Sequence, residues 1–385
     1  MQKKNSARKA ISVLCGGQST EHEISILSAQ NVVAALDANR YLVSIIYISQ
    51  TGHWYWSDDL TQFCAHDPIY LVEKNSAQPI YLAPGQPKQP WVLQNGARTP
   101  IDCDCVIPIL HGTLGEDGAP QGLFEMLNVP YVGANVAASV LCMEKHIAKR
   151  LLRYAQIPTA DWVTLNKYQL DNHHFEAIVA NLGSVFFIKP VRLGSSVAVS
   201  KVTNEVQFKR ALELAFQYDE DVIAERAIEG REIELSVLGN AQLQVTAPGE
   251  IVTHYSFYSY RAKYLDPDGA QVIVPADLPD DVIEKAQGIA LRAYQALQCE
   301  GMARVDCFVT AKGDVIVNEL NTIPGFTNIS MYPKNWQVAG KSCAQLFDEL
   351  IALACNRYER RKKITAKLAR VHIEENADYI QEDSA

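Results

Sequence analysis

The stretch 304–325, R-V-D-C-F-V-T-A-K-G-D-V-I-V-N-E-L-N-T-I-P-G, constrains the chain most. Residues 304–310 and 315–321 are rich in Val, Ile and Phe, and Lys312-Gly313 stands between them. This is the pattern of two strands around a tight turn, with glycine supplying the positive φ the turn needs. With Lys312 and Gly313 as the two turn residues, Asp306 falls opposite Glu319 and Arg304 opposite Asn321. Side chains alternate faces along a strand. All four groups therefore project from one face, which Phe308 and Val317 continue toward the turn. Neighbouring carboxylates repel across a ladder, so such a face is costly for stability alone. A hard divalent cation removes that cost, and oxygen donors without His or Cys point to Mg²⁺ or Mn²⁺ rather than zinc. The alternative is an exposed sheet face with incidental charges.

A chain of 385 residues is long enough for two or three domains with full cores. It is 48% hydrophobic and 21% charged with net charge -9, which fits a globular protein and argues against nucleic acid as a partner. The basic start M-Q-K-K-N-S-A-R-K precedes only about six apolar residues, too few for a secretory signal. No apolar run approaches the roughly 18 residues of a membrane span. The nine cysteines are scattered, mostly inside apolar runs. Cys103 and Cys105 lack the second cysteine pair or neighbouring histidine of a zinc site. The expectation is a reduced, cytoplasmic protein with no membrane partner.

Residues 11–15 read as an apolar strand broken by Gly16-Gly17, and helical spacing follows over 24–36. The G-x-G-x-x-G fingerprint is absent, which argues against a dehydrogenase. Strands follow at 41–48 and 106–110, the latter running into H-G-T-L-G-E-D-G. A helix starts near 122 and a strand covers 131–133. Such alternation implies a parallel sheet with its site at the carboxyl ends of the strands, where Glu21 and His111 meet in one cleft. The Gln-, Pro- and Asp-rich region 52–100 says least. Further on, the pattern predicts a helix over 143–155 and a hairpin from 185–189 and 197–202 with a glycine-serine tip. Strands at 222–225 and 232–238 flank a turn at Gly230. The aperiodic S-F-Y-S-Y-R-A-K-Y-L-D-P-D over 256–268 reads as an active-site lid. An amphipathic helix covers 280–297. Beyond Asn356 the chain turns basic, then acidic, a helical then frayed tail with no core of its own.

The tip Gly194-Ser195-Ser196 can lay backbone N–H groups and hydroxyls over phosphates, with Lys189 at its base. Lys145, Lys189 and Lys263 are each, taken singly, ordinary surface charges. Beside a carboxylate cation site they describe a polyphosphate clamp. Residues 222–228 offer amides and Glu225 to an adenine edge. A metal-dependent hydrolase would share the oxygen-rich face but has no use for the clamp or the lid.

The motifs G-G-Q-S-T-E-H-E-I-S, H-G-T-L-G-E-D-G, K-P-x-x-x-G-S-S-V, G-R-E-I-E, F-Y-S-Y-R-A-K-Y, G-M-A-R-V-D and N-E-L-N-T-I-P-G-F-T resemble those of the D-alanine–D-alanine ligase family of the ATP-grasp superfamily. They occur in that family's order. The resemblance implies an ATP-grasp fold of α/β and α+β class behind an N-terminal parallel-sheet domain. It divides the chain into 1–140, 141–230, 231–356 and a polar tail, 357–385. It implies ligation of two D-alanines with ATP through D-alanyl phosphate, for peptidoglycan precursor synthesis, by a homodimer. By motif position it implies that Glu21 holds the first ammonium. Ser195 and Tyr264 complete a set with Glu21, and His111 lies beside the substrates. Lys145, Lys189, Lys263 and Ser196 contact ATP phosphates, while Glu225, Ile228 and Glu232 hold adenine and ribose. Asp306, Glu319 and Asn321 hold two Mg²⁺ or Mn²⁺ ions. Arg304 and the Gly325 amide face the reacting carboxyl, and Ser330 receives the second carboxylate. Tyr264 stands where relatives that make D-alanyl–D-lactate carry histidine, which favours the dipeptide over a depsipeptide. Val191, Ala198 and Arg226-Ala227 depart from the family pattern.

Overall fold

The computed structural model describes residues 8–94, 99–172, 174–253 and 269–382. Three sheets organise them. The first contains β1 (Lys9–Gly16), β2 (Tyr41–Ile48), β3 (Trp54–Ser57), β4 (Gln78–Leu82), β5 (Trp91–Leu93), β6 (Pro100–Ile101) and β7 (Cys105–Pro108). Its order is β6-β5-β4-β3-β2-β1-β7. Helices α1 (His22–Ala35), α2 (Leu60–Ala65), α3 (Pro68–Glu73) and α4 (Ala119–Met126) accompany it. Only β2, β1 and β7 run parallel. From β3 to β6 the sheet continues antiparallel through the region 52–100, so it is mixed rather than parallel throughout. The parallel strands carry unbroken apolar runs such as Val13-Leu14-Cys15 and Ile45-Ile46-Tyr47, as burial on both faces requires.

Two helices, α5 (Val136–Met143) and α6 (Lys145–Tyr154), lead to the second sheet. The predicted single helix over 143–155 is broken at Glu144, whose backbone is non-helical (φ -76°, ψ 80°) and whose carboxylate accepts from Arg192 Nε at 2.6 Å. The second sheet is antiparallel, with strands β8 (Trp162–Asn166), β9 (Phe186–Pro190), β10 (Ser200–Val202) and β11 (Asp221–Arg226) in the order β10-β9-β11-β8. Helices α7 (Phe175–Leu182) and α8 (Glu205–Ala215) cover it, and their apolar stripes meet in a core around Phe186, Ile188 and Phe208. The expected hairpin exists as β9 and β10, but β10 starts only at Ser200, so its tip is longer than predicted.

The third sheet has β12 (Arg231–Gly239), β13 (Leu243–Val245), β14 (Gly249–Thr253), β15 (Ala270–Ile273), β16 (Gly301–Val309) and β17 (Val315–Asn321). Its order is β15-β14-β12-β16-β17, with β13 also on β12. The strands on either side of Gly230 are therefore not a hairpin: β11 belongs to the second sheet and β12 to the third. Helix α9 (Asp280–Ala296) buries Ala286, Ala290, Ala293 and Tyr294 against Ile233, Leu235, Val305 and Val317. Helices α10 (Met331–Val338) and α11 (Cys343–Glu382) follow. Leu346, Phe347, Leu350 and Ile351 of α11 share a core with Val13 and Ile107 of the first sheet and Phe326 and Tyr332 of the third region.

The β16–β17 hairpin keeps the expected partners, Asp306↔Glu319 and Arg304↔Asn321, by a different route. The turn has three residues, not two: Gly313 N bonds Thr310 O, Thr310 N bonds Asp314 O, and Gly313 takes φ +76°. A bulge at Asn318 then adds one residue, so Cys307 faces Val317 but Asp306 faces Glu319. As a consequence Val317 does not continue the charged face. It is fully buried on the α9 side.

Candidate active site

On the face of the third sheet away from α9, the register lines up Glu234, Asp306 and Glu319 across β12, β16 and β17. Ser236, Arg304 and Asn321 form the next row. Three carboxylates in one row need counter-charge, and the chain supplies some. Arg304 donates from Nε and Nη2 to the two Asp306 oxygens at 2.7 Å each, and its Nε lies 3.1 Å from Glu234 Oε2. Burial would depress the guanidinium pKa, but Asp306 and Glu234 outweigh it and hold the group charged. Lys145 Nζ lies 3.5 Å from Glu319 Oε2 and donates to Leu193 O at 2.6 Å. Among the described residues, no three His, Cys, Asp or Glu side chains close a cation cage by themselves. An Asp, a Glu and an Asn on one open face suit Mg²⁺, which takes few protein oxygens and completes its shell with phosphate and water.

Glu21 ends the glycine turn after β1, at the position before α1. Its side chain does not cap that helix but receives the Ser195 hydroxyl, joining the first sheet to the tip between β9 and β10. The approach is close. A Cβ on Gly112 would sit 2.9 Å from Glu21 Oε2, and one on Gly194 would sit 3.2 Å away. Ser195, Ser196 and Ala198 all adopt left-handed backbone, at φ 51°, 58° and 56°. A glycine holds that conformation without strain, which is why Ala198 stands out in the motif. His111 is buried, with Nε2 3.4 Å from Ser28 Oγ. Burial lowers its pKa below the usual imidazole value, only partly opposed by Glu21, which leaves the ring neutral. Glu116, five residues on, is pushed up to about 8 by burial and by Glu21, while the amides of Gly112 and Ile323 pull it back. Gly325 leaves room for Ser330: a Cβ there would meet Ser330 Oγ at 2.8 Å.

A second cleft lies between the second and third sheets. Lys189 Nζ is 3.4 Å from Glu225 Oε2 and also 3.4 Å from Asn318 Oδ1. Lys149 approaches the same Glu225 oxygen at 3.4 Å and donates to Thr159 Oγ1 at 2.9 Å. Burial would raise the Glu225 pKa, but Lys149 and Lys189 together hold the carboxyl below its usual range.

The candidate residues sort themselves between the two clefts. Glu21, His111, Ser195, Arg304, Asn321, Gly325 and Ser330 line the first. Lys189, Ser196, Glu225, Ile228, Glu232 and Asp306 line the second. Lys145 and Glu319 belong to both. Lys263 and Tyr264, with the rest of the expected lid, lie outside the described residues.

The sequence model of the D-ala D-ala ligase N-terminus matches residues 10–134, and that of the D-ala D-ala ligase C-terminus matches 151–352. The D-alanine–D-alanine ligase of Coxiella burnetii (strain RSA 493 / Nine Mile phase I) is 50% identical over 355 residues, 92% of this chain and 95% of that protein. The ligase of Shouchella clausii is 46% identical over 363 residues, 94% of this chain and 99% of its own. The chain belongs to the D-alanine–D-alanine ligase family.

Solved members of that family share the fold. The Coxiella burnetii D-alanine–D-alanine ligase structure superposes with TM-score 0.87 at 45% identity, covering 96% of this chain and all of its own. The VanG D-Ala:D-Ser ligase from Enterococcus faecalis gives 0.82 at 35% identity, covering 90% of this chain and all of its own. The chain is thus an enzyme of ligase type with the ATP-grasp architecture. Among the described residues, no helix is long and apolar enough to cross a membrane.

Four side chains at this family site escape a reading by motif. Glu234 is signalled by alternation, since R-E-I-E puts Glu232 and Glu234 on one face. Glu116 stands inside H-G-T-L-G-E-D-G, yet nothing in the string says which way it points. Lys149 follows Lys145 by one helical turn and ends buried, where a lysine is expected to be solvated. Asn318 reaches the cleft only because of the bulge.

Proposed function

We propose that the chain joins two D-alanines to D-alanyl-D-alanine, converting ATP to ADP and phosphate. The reading extends to two Mg²⁺ or Mn²⁺ ions, a cytoplasmic homodimer and supply of the peptidoglycan precursor dipeptide. The observation that carries it is the shared wall between the two clefts, where Lys145 and Glu319 serve both. A carboxylate must meet a polyphosphate at such a wall.

A carboxylate is a poor acyl donor. In the first step an oxygen of the first D-alanine's carboxylate attacks the γ-phosphorus of ATP, and ADP leaves. Glu21, with Ser195 holding it, takes the substrate ammonium and turns the carboxylate toward Glu319. Lys145, Lys189 and Ser196 steady the phosphates, while Glu225, Ile228 and Glu232 receive adenine and ribose. Lys263 acts with them in this reading, and Tyr264 completes the Glu21–Ser195 set from the lid. Asp306, Glu319 and Asn321 would hold the cations, which neutralise charge on the transferred phosphoryl oxygens. In the second step the free amine of the second D-alanine, its carboxylate on Ser330, attacks the acyl carbon and phosphate leaves. Arg304 and the Gly325 N–H stabilise the tetrahedral oxyanion, a contribution of about 3 kcal/mol per donor. His111, neutral, lies beside both reactants. Excluding water matters because the acyl phosphate would otherwise hydrolyse.

The test is turnover with D-alanine alone. Purified protein with Mg-ATP is expected to release ADP, phosphate and dipeptide in equal amounts. Folded protein that makes no dipeptide overturns the reading. Similarity to a D-Ala:D-Ser ligase makes the acceptor worth testing, so D-alanine should compete against D-serine and D-lactate. Dipeptide is expected to dominate. A D-lactate product would favour the depsipeptide alternative.

A further inference from the structure

The mechanism leaves the buried Glu116 unused. Glu116 lies in the loop between β7 and α4, and its two oxygens serve two distant segments. Oε2 accepts the N–H of Gly112 at 2.8 Å, and Oε1 accepts the N–H of Ile323 at 3.2 Å, a donor shared with Asn321 Oδ1 at 3.2 Å. Gly112 directly follows His111. Ile323 stands midway between Asn321 and Gly325. One side chain thus bridges the loop that carries His111 and the loop that carries the oxyanion amide. The second loop is gripped again from α1. Phe326 N donates to Ser28 Oγ at 3.2 Å, and Asn31 Nδ2 donates to Phe326 O at 2.9 Å. Ser28 Oγ is also the neighbour of His111 Nε2. These contacts form a closed circuit of hydrogen bonds beside the first cleft, with Glu116 as its acidic member.

Burying an acidic group is expensive, but an apolar side chain in its place would leave the N–H groups of Gly112 and Ile323 without this acceptor. A carboxyl group offers two oxygens at a fixed separation, so it sets a distance as well as making a contact. We infer that Glu116 is a positioning residue: its carboxyl group fixes His111 and the Gly325 amide on opposite sides of the reacting acyl carbon. This rests on the dipeptide-ligase reading. Displacing catalytic groups by about 1 Å costs on the order of a hundredfold in rate.

Glu116→Gln keeps the shape and one acceptor but turns an amide N–H₂ toward one of the two backbone donors. Expected is a fall in kcat of about 10- to 100-fold with the KM for ATP held within about twofold. The ratio of ADP released to dipeptide formed should rise above one, because a misplaced acyl phosphate is lost to water. Amide exchange at Gly112 and Ile323 should quicken. Glu116→Asp, one methylene shorter, is expected to show the same ratio and serves if the glutamine variant does not fold. A folded variant with normal kcat and a ratio of one overturns the inference. So does a lowered melting temperature with unchanged kcat, the mark of a structural role. Wild-type protein run alongside separates the two claims. No dipeptide from wild type defeats the functional reading, whereas wild-type turnover with a normal variant defeats only this one.

Discussion

Asp306 stands between two demands. Its two oxygens receive the Arg304 fork, and it faces the cleft where the cations of the proposed reaction would sit. Replacing it with asparagine separates these demands, because shape is kept while charge is lost. Glu234 still neutralises Arg304, so Asp306→Asn should lower unfolding free energy by only about 2 kcal/mol, the loss of one charge-assisted bond. Turnover should fall by more than the roughly 10- to 100-fold that loss of an outer-sphere partner costs. Steady-state kinetics across a Mg²⁺ titration, with denaturant unfolding in parallel, checks both. Near-normal activity would remove Asp306 from the proposed metal set. The single residues legible in the sequence were those with a motif and a spacing. Lys149 and Glu116 were not legible, because a buried charge depends on partners in other elements. Lys149 needs Glu225 on β11 to be tolerated at all.

At the level of the element, the β16–β17 hairpin shows how a sequence pattern can reach the right pairing through the wrong turn. Alternation and a glycine announce a hairpin but do not distinguish a two-residue loop from a three-residue one. They carry only a slight mark for a bulge: plain alternation would turn the polar Asn318 to the buried face with Leu320. The extra turn residue and the extra strand residue compensate, so Glu319 returns opposite Asp306. Between them the face of every side chain on β17 is exchanged, and Val317 is the residue that reports it. Under a two-residue turn it would line the cleft and tolerate a polar replacement. In this structure it is fully buried beside Cys307 and α9. Val317→Asn should therefore cost about 3 kcal/mol or more, an amide buried without partners, measured by denaturant unfolding. Phe308→Asn, in the cleft proposed for ATP, should cost less stability and raise the KM for ATP instead. A Val317→Asn protein as stable as wild type would mean that the bulge is absent.

Across the whole molecule, the site exists only because three sheets are held at a common centre, and α11 is one of the ties. Composition reads the region beyond Asn356 as a polar tail, helical then frayed; the helix runs from Cys343 to Glu382, and Arg357 within it is buried. Its Nη1 donates to Gly133 O at 2.6 Å and its Nη2 to Tyr131 O at 2.8 Å, with the guanidinium 4.4 Å from the Tyr131 ring centre. Those two carbonyls end the first α/β region, just before α5. Arg357 therefore fixes where the chain leaves the first sheet to reach Lys145. One turn further, Arg360 and Arg361 pair with Glu300 and Glu125, but both arginines are about half exposed, and exposed pairs contribute little. The expected boundary between what matters and what does not thus falls after Arg357. Ending the chain at residue 358 should leave dipeptide formation within about twofold of wild type and cost less than about 1 kcal/mol. Arg357→Ala in the full-length chain should cost about 2–3 kcal/mol, because two buried carbonyls lose their donor. Denaturant unfolding together with the ligation assay distinguishes them. If the truncated chain unfolds as readily as the Arg357 variant, the stabilising contacts of α11 extend beyond residue 358.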